Sequence, residues 1–190
     1  MESEHPRDKN GKFSNKENQS ESTKSIGEIL QHSQPRFSSR RVVSGVKKIN
    51  LPQKDAIKCA EAIEKYTRDM FPSKEETTLI DKAIINSEPY NNKTYSGVEK
   101  EFDTYFNVGD TIAGRLISWS KNEDVAKDFA IKNTNKMLIV DQNPGMDISD
   151  ISYEPEEQEV LTATTMKFLV YDIKKENEIQ KIYVKYIKDK

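Results

Sequence analysis

The hydrophobic period of this 190-residue chain changes once, between Ile84 and Thr94, and that change decides its fold class. Between Pro52 and Phe71, apolar residues fall at Ile57, Ala60, Ile63, Tyr66 and Met70, three or four apart. Such spacing lays one apolar face along a helix. Ser73-x-x-Glu76 then forms a capping box, which opens a second helix through Leu79, Ile80, Ala83 and Ile84. A turn-rich loop with Pro89 and Asn91-Asn92 follows, and beyond it the pattern is mostly that of strands rich in Val, Ile and Tyr. Strands are expected at Thr94–Val98, Thr111–Ser120, Lys136–Asp141, Gln158–Thr162, Met166–Ile173 and Ile179–Ile187. One helix interrupts them, Asn122–Lys132, with Val125 and Phe129 expected to face inward. Helices first and then mainly strands predict an α+β domain.

Charge divides the chain at a different place. Residues 1–50 carry ten Lys/Arg against six Asp/Glu, whereas residues 51–190 carry twenty against twenty-six. Low apolar content predicts a disordered polar tail over 1–45, with at most a helical turn around Ile26–Leu30, and a folded domain over 46–190. The acidic domain lacks the basic face that nucleic acid requires. Apolar runs of four or five residues are too short for a membrane span or a secretory signal. Cys59 is the sole cysteine and falls in a helical pattern among Ala and Ile, which predicts a small buried side chain rather than a nucleophile. Both histidines, His5 and His32, lie in the tail, so neither a metal site nor a His-based triad is expected in the domain. The segment His5–Phe13 resembles short stretches of bacteriophage structural proteins.

Three segments of the domain stand in a telling order: Thr94-Tyr95-Ser96-Gly97-Val98, then Leu116-Ile117-Ser118-Trp119-Ser120, then Glu156-Glu157-Gln158-Glu159-Val160-Leu161. Together they resemble the motifs of the Arg-Ser-Glu class of mono-ADP-ribosyltransferases, the group of the clostridial binary toxins and their insecticidal relatives. In that family an Arg ends a first strand as Tyr-Arg-Gly, a Ser-x-Ser/Thr segment follows, and Glu-x-Glu enters a strand as Glu-Val-Leu. The resemblance implies N-terminal helices leading into two packed, mostly antiparallel sheets around a cleft for NAD, which is the substrate. It implies that Ser96, Gly97, Ser118, Ser120 and Phe129 contact NAD, that Ser118 orients Glu159, and that Tyr153 and Glu157 meet the protein acceptor.

Elementary chemistry agrees with those assignments. Breaking the bond between nicotinamide and ribose develops positive charge on the ribose, and a fixed carboxylate such as Glu159 stabilises it. Glu157, two residues earlier, shares a face with Glu159 if the segment is extended. The resemblance implies that Glu at this place goes with arginine as the acceptor and Gln with other acceptors; a carboxylate can orient a guanidinium and help deprotonate it, which a neutral amide cannot. Each residue also has a plainer reading. Glu157 and Glu159 fit a solvated strand edge, and Ser120 fits the N-cap of a box with Glu123. Tyr95, Trp119 and Phe129 fit a core, and Tyr153 fits a half-buried loop.

The first motif departs from the family at its arginine, which is Ser96 here. A hydroxyl brings neither the charge nor the fork with which a guanidinium grips phosphate. Arg115 would point away from Ser118 and Ser120 in a regular strand, as would Lys93 from Ser96, which leaves Lys121 and Lys100 as substitutes. The expected activity is mono-ADP-ribosylation of a protein arginine by a monomeric phage effector or bacterial toxin, without nucleic-acid or membrane partners. Its expected place of action is the cytoplasm of a target or phage-infected bacterium. The competing reading is an inactive module of the same fold that binds NAD or a partner protein.

Overall fold

A computed structural model of the protein describes residues 39–69 and 71–188. Residues 1–38 of the tail expected over 1–45, the turn at Ile26–Leu30, the segment His5–Phe13, the two histidines and the place of Met70 lie outside those residues.

Three helices lead. Helix α1 (Arg40–Lys48) is capped by Ser39, whose side chain accepts from the Val42 amide at 3.2 Å. Its buried face is Val42, Gly45 and Val46. A Cβ on Gly45 would lie 2.9 Å from the Ala60 Cβ, so the missing side chain sets how closely α1 approaches α2 (Gln53–Asp69). The boundary drawn between 45 and 46 falls inside this helix. Of its three valines only Val42 and Val46, four apart, are buried, too little apolar surface to register as a periodic pattern. Helix α2 buries Cys59, Ala60, Ile63 and Tyr66 along one face, and burial raises the Cys59 thiol above its usual range. Helix α3 (Lys74–Ile85) opens on both halves of the capping box. Glu76 N donates to Ser73 Oγ at 3.2 Å, and Ser73 N donates to Glu76 Oε2 at 2.8 Å.

The strands are β1 (Thr94–Gly97), β2 (Thr111–Ile112), β3 (Ile117–Ser120), β4 (Lys136–Val140), β5 (Met146–Asp147), β6 (Glu159–Thr162), β7 (Lys167–Glu176) and β8 (Ile179–Ile187). They form one sheet in the order β2-β7-β8-β4-β1-β3-β6-β5. The expected two packed sheets are therefore corrected to a single one, and it is mixed because β4 runs parallel to β8. The continuity is narrow. Strands β1 and β3 share one register pair, Tyr95 with Ser120, which joins a five-stranded part to the three-stranded part β3-β6-β5.

The long strand expected over Thr111–Ser120 is also corrected. Gly114 takes φ +82°, a left-handed conformation open to glycine, and its amide donates to Thr164 O at 3.0 Å. That turn splits the stretch into β2 and β3.

Helix α4 (Glu123–Asn133) lies against β1, β3 and β4. It packs Ala126 and Ala130 onto Met137, Ile139 and Ile179. A second core holds Trp119, Leu138, Val160, Phe168, Val170 and Ile182. Trp119 is 1% exposed, stands 5.3 Å from the Phe168 ring, and donates from Nε1 to Thr162 Oγ1 at 3.1 Å. It is a core residue whose polar edge is satisfied.

Candidate active site

Strands β3 and β6 build the site. Ser120 stands opposite Glu159 in the antiparallel register, and Ser118 is the diagonal neighbour on the same face. Across that diagonal the Ser118 hydroxyl donates to Glu159 Oε1 at 2.6 Å. The second oxygen, Oε2, accepts from the Ser152 hydroxyl at 3.2 Å. Tyr66, on α2, places its hydroxyl 3.1 Å from Ser118 Oγ. Ser118 has a single proton and gives it to the carboxylate, so Tyr66 is the donor in its own pair. A chain of hydroxyls from α2 thus ends on Glu159. Burial pushes the Tyr66 hydroxyl up to about 12, which keeps it a donor. Glu159 is only 6% exposed, and burial raises its carboxyl while the two serine hydrogen bonds hold it down.

Glu157 is not on the strand with Glu159. It ends the 3-10 turn Pro155–Glu157, and Gln158 follows at φ 50°, ψ 53°. The expectation of one extended segment is thereby corrected. A non-glycine residue in the left-handed region costs roughly 1–2 kcal/mol, and here it swings the chain from the turn into β6. Ser120 Oγ stabilises the corner, donating to Glu157 O at 2.7 Å and accepting from Asn122 N at 3.0 Å. The N-cap of α4 is accordingly Asn122, which accepts from Asp124 N, and Ser120 is not the cap. Both carboxylates still reach one cavity. Glu157 is exposed at its mouth and its carboxyl is pushed up to about 7, mainly by desolvation and then by the nearby Glu159 charge.

That cavity has a volume of about 790 Å³, within the usual range of small-molecule sites. Ser96, Gly97, Ser118, Ser120, Phe129, Glu157 and Glu159 all line it. Ser96 is buried in β1, paired with Leu138. A Cβ on Gly97 would lie 2.7 Å from Ala130 N and 2.9 Å from Ala126 O, so its place is fixed by the approach of α4. Phe129 is 40% exposed, since the buried face of α4 is Ala126 and Ala130. It faces the cavity wall, and the expected inward-facing position is corrected. Tyr153 does not line the cavity. It is 52% exposed beside Glu154, which does, with its amide donating to Thr67 Oγ1 at 3.1 Å. The Arg41 guanidinium of α1 stacks 4.9 Å above its ring.

Sequence reasoning missed Tyr66 and Ser152. Tyr66 carried a signal, being the polar-tipped residue on an otherwise apolar face of α2; Ser152 sits in an irregular loop with none. Lys121 and Lys100, the expected substitutes for the missing arginine, do not line the cavity. Lys121 is held elsewhere by Asp147 Oδ2 at 2.8 Å and Ser149 Oγ at 2.9 Å.

A buried carboxylate aimed by two hydroxyls, with a second carboxyl poised near neutrality, can stabilise positive charge on one atom and accept a proton from another. The comparisons with known proteins agree with the fold that presents it. The C3 exoenzyme of Clostridium limosum superposes with a TM-score of 0.56 at 15% identity, covering 78% of this chain and 90% of that one. Plx2a, an ADP-ribosyltransferase toxin of Paenibacillus larvae, gives 0.55 at 17%, covering 78% and 95%. Vis, an ADP-ribosyltransferase of Vibrio splendidus solved in complex with agmatine, gives 0.50 at 18%, covering 86% and 81%. A search of curated proteins finds no match. At such identities the structural likeness is one of fold. The sequence pattern of the family described as NAD:arginine ADP-ribosyltransferase matches residues 58–190, most of the chain and all of the cavity-forming strands, and the chain belongs to that family.

Proposed function

We propose that the protein transfers ADP-ribose from NAD to an arginine side chain of a target protein. The observation that carries this reading is the Glu159 carboxylate, fixed between Ser118 and Ser152 on the wall that Glu157 shares. Glu159 stabilises the charge that develops on the ribose as its bond to nicotinamide breaks, the bonding pair leaving with nicotinamide. A guanidinium nitrogen forms the new bond to the same ribose carbon, and Glu157 accepts the proton that nitrogen gives up. Phe129 supplies an exposed ring on the cavity wall for the nicotinamide. Tyr153, exposed beside Glu154, meets the protein acceptor. The family description names arginine, and Vis is solved with agmatine, itself a guanidine; both support the choice of acceptor.

The protein acts as a monomeric toxin or effector in the cytoplasm of a bacterial cell; Plx2a and Vis, both described as toxins, support the toxin part of this reading alone. Phage origin rests on the segment His5–Phe13 alone. A single observation favours a second reading, an NAD-binding module without transfer: the family arginine is Ser96. Incubation with labelled NAD and a bacterial lysate decides between them. Label on a lysate protein, released by agents that cleave arginine linkages, supports the transferase. Saturable NAD binding without label transfer supports the module.

A further inference from the structure

The cavity is rich in negative charge. Glu99, Glu101, Glu154, Glu157 and Glu159 all line it, so a pyrophosphate entering it needs a cation. Among the described residues two cations line it, Arg68 and Arg115. Arg68 is already engaged, donating from Nε and Nη2 to the two carboxylate oxygens of Asp69 at 2.9 and 3.3 Å.

Arg115 is differently placed. The left-handed turn at Gly114 takes residues 113–116 out of strand geometry. The alternation that would aim Arg115 away from Ser118 therefore does not apply, and the two residues share the cavity. The guanidinium lies over the Phe102 ring, 4.0 Å from its centroid. A cation–π contact of this kind spends no N–H donor on an oxygen or nitrogen acceptor. The Arg115 donors make no hydrogen bond or ion pair with another described residue. Arg115 is partly buried, and desolvation lowers its guanidinium from its usual range while Glu99 opposes the shift. It stays charged nonetheless, because arginine does not deprotonate in proteins.

The geometry points to Arg115 as the group that grips the NAD pyrophosphate, in place of the arginine the family carries at position 96. This assignment rests on the NAD reading of the cavity given above. Its parts are a partly buried, uncommitted guanidinium, an aromatic ring that orients it, and an otherwise acidic cavity.

Calorimetric titration of the full chain with NAD tests it, using wild type, Arg115→Gln, Arg115→Lys and the double variant Arg115→Gln/Ser96→Arg. Charge-assisted bonds predict that Arg115→Gln weakens NAD binding about tenfold or more. Arg115→Lys keeps the charge but not the fork, and falls between. The double variant regains affinity, because the guanidinium returns on β1. Wild-type affinity falls with added salt, and in Arg115→Gln that dependence flattens. If wild type binds NAD and Arg115→Gln binds it within about twofold, the assignment of Arg115 is overturned while the NAD reading stands. Loss of affinity with unchanged salt dependence and no rescue by Ser96→Arg also overturns it, since that pattern is a purely structural defect. If wild type binds no NAD, the reading of the cavity falls and takes this assignment with it.

Discussion

Ser118 holds Glu159 across a diagonal of the β3–β6 ladder, at 2.6 Å, while the residue directly opposite Glu159 is Ser120. The two serines of one motif thus do different work. Ser118 aims the carboxylate, and Ser120 secures the backbone corner that carries Glu157. With Ser152 on the other oxygen, Glu159 is oriented before a substrate arrives, and no reorganisation is left for the moment of reaction.

Glu159→Gln should abolish both transfer and NAD hydrolysis, by about a hundredfold or more. An amide fills the same space and keeps a partner for each serine, so the melting temperature should hold. Radiolabelled NAD with an arginine acceptor, read beside a thermal melt, checks both. Retained hydrolysis would remove Glu159 from the chemistry.

Ser118→Ala leaves Glu159 with Ser152 as its one hydroxyl and strands the Tyr66 donor. Turnover should drop by about tenfold, with about 1 kcal/mol lost in stability. Tyr66→Phe, which removes only the far end of the chain, should have the smaller effect on kcat. Steady-state kinetics of the two variants supply the comparison.

For the proposed transfer, the raised carboxyl of Glu157 sets the sign of the expected pH dependence. Its carboxyl is pushed up to about 7, so it is protonated below that value and a base above it. Transfer to arginine should rise through about pH 7 and level off in mildly alkaline buffer. NAD hydrolysis should not need Glu157 as a base, so an acid limb in its profile belongs to Glu159, whose carboxyl burial also raises. Glu157→Gln should flatten the transfer profile at its low end while sparing much of the hydrolysis. Equal loss of both activities would show that Glu157 has no separate task with the acceptor.

The N-terminal boundary is open to a simple experiment. A chain starting at residue 46 loses most of α1, including the fully buried Val42 and the Arg41 contact with Tyr153. Burial of one valine contributes about 1.5–3 kcal/mol, so this chain should melt about 4 °C or more below one starting at residue 39. Equal melting temperatures would mean that α1 adds nothing to stability.

Much of this fold is written in local pattern. The β8 bounds, Ile179–Ile187, follow directly from its alternating Val, Ile and Tyr, and α3 from a capping box whose two halves both form. What escaped were features decided by single backbone angles or distant partners. Gly114 breaks a stretch that reads as one strand, and Gln158 turns at a place where nothing in its residue type announces a left-handed conformation. The site divides the same way. Ser118 and Glu159 are legible because motif order carries them, but the Ser152 hydroxyl reaches Glu159 through a loop without periodicity. Arg115 was set aside by an alternation rule that the turn at Gly114 suspends.

Gly97 and Ser96 are neighbours that answer to different masters. Any side chain at 97 collides with the backbone of α4, so a descendant of this fold keeps glycine there whether or not it still handles NAD. Position 96 also lines the cavity, where Ser96 is 7% exposed. Glycine at 97 answers to the packing of α4, and the residue at 96 to what the cavity must hold. The architecture of the first motif therefore persists in this chain, whose family pattern matches residues 58–190, although its middle residue is serine.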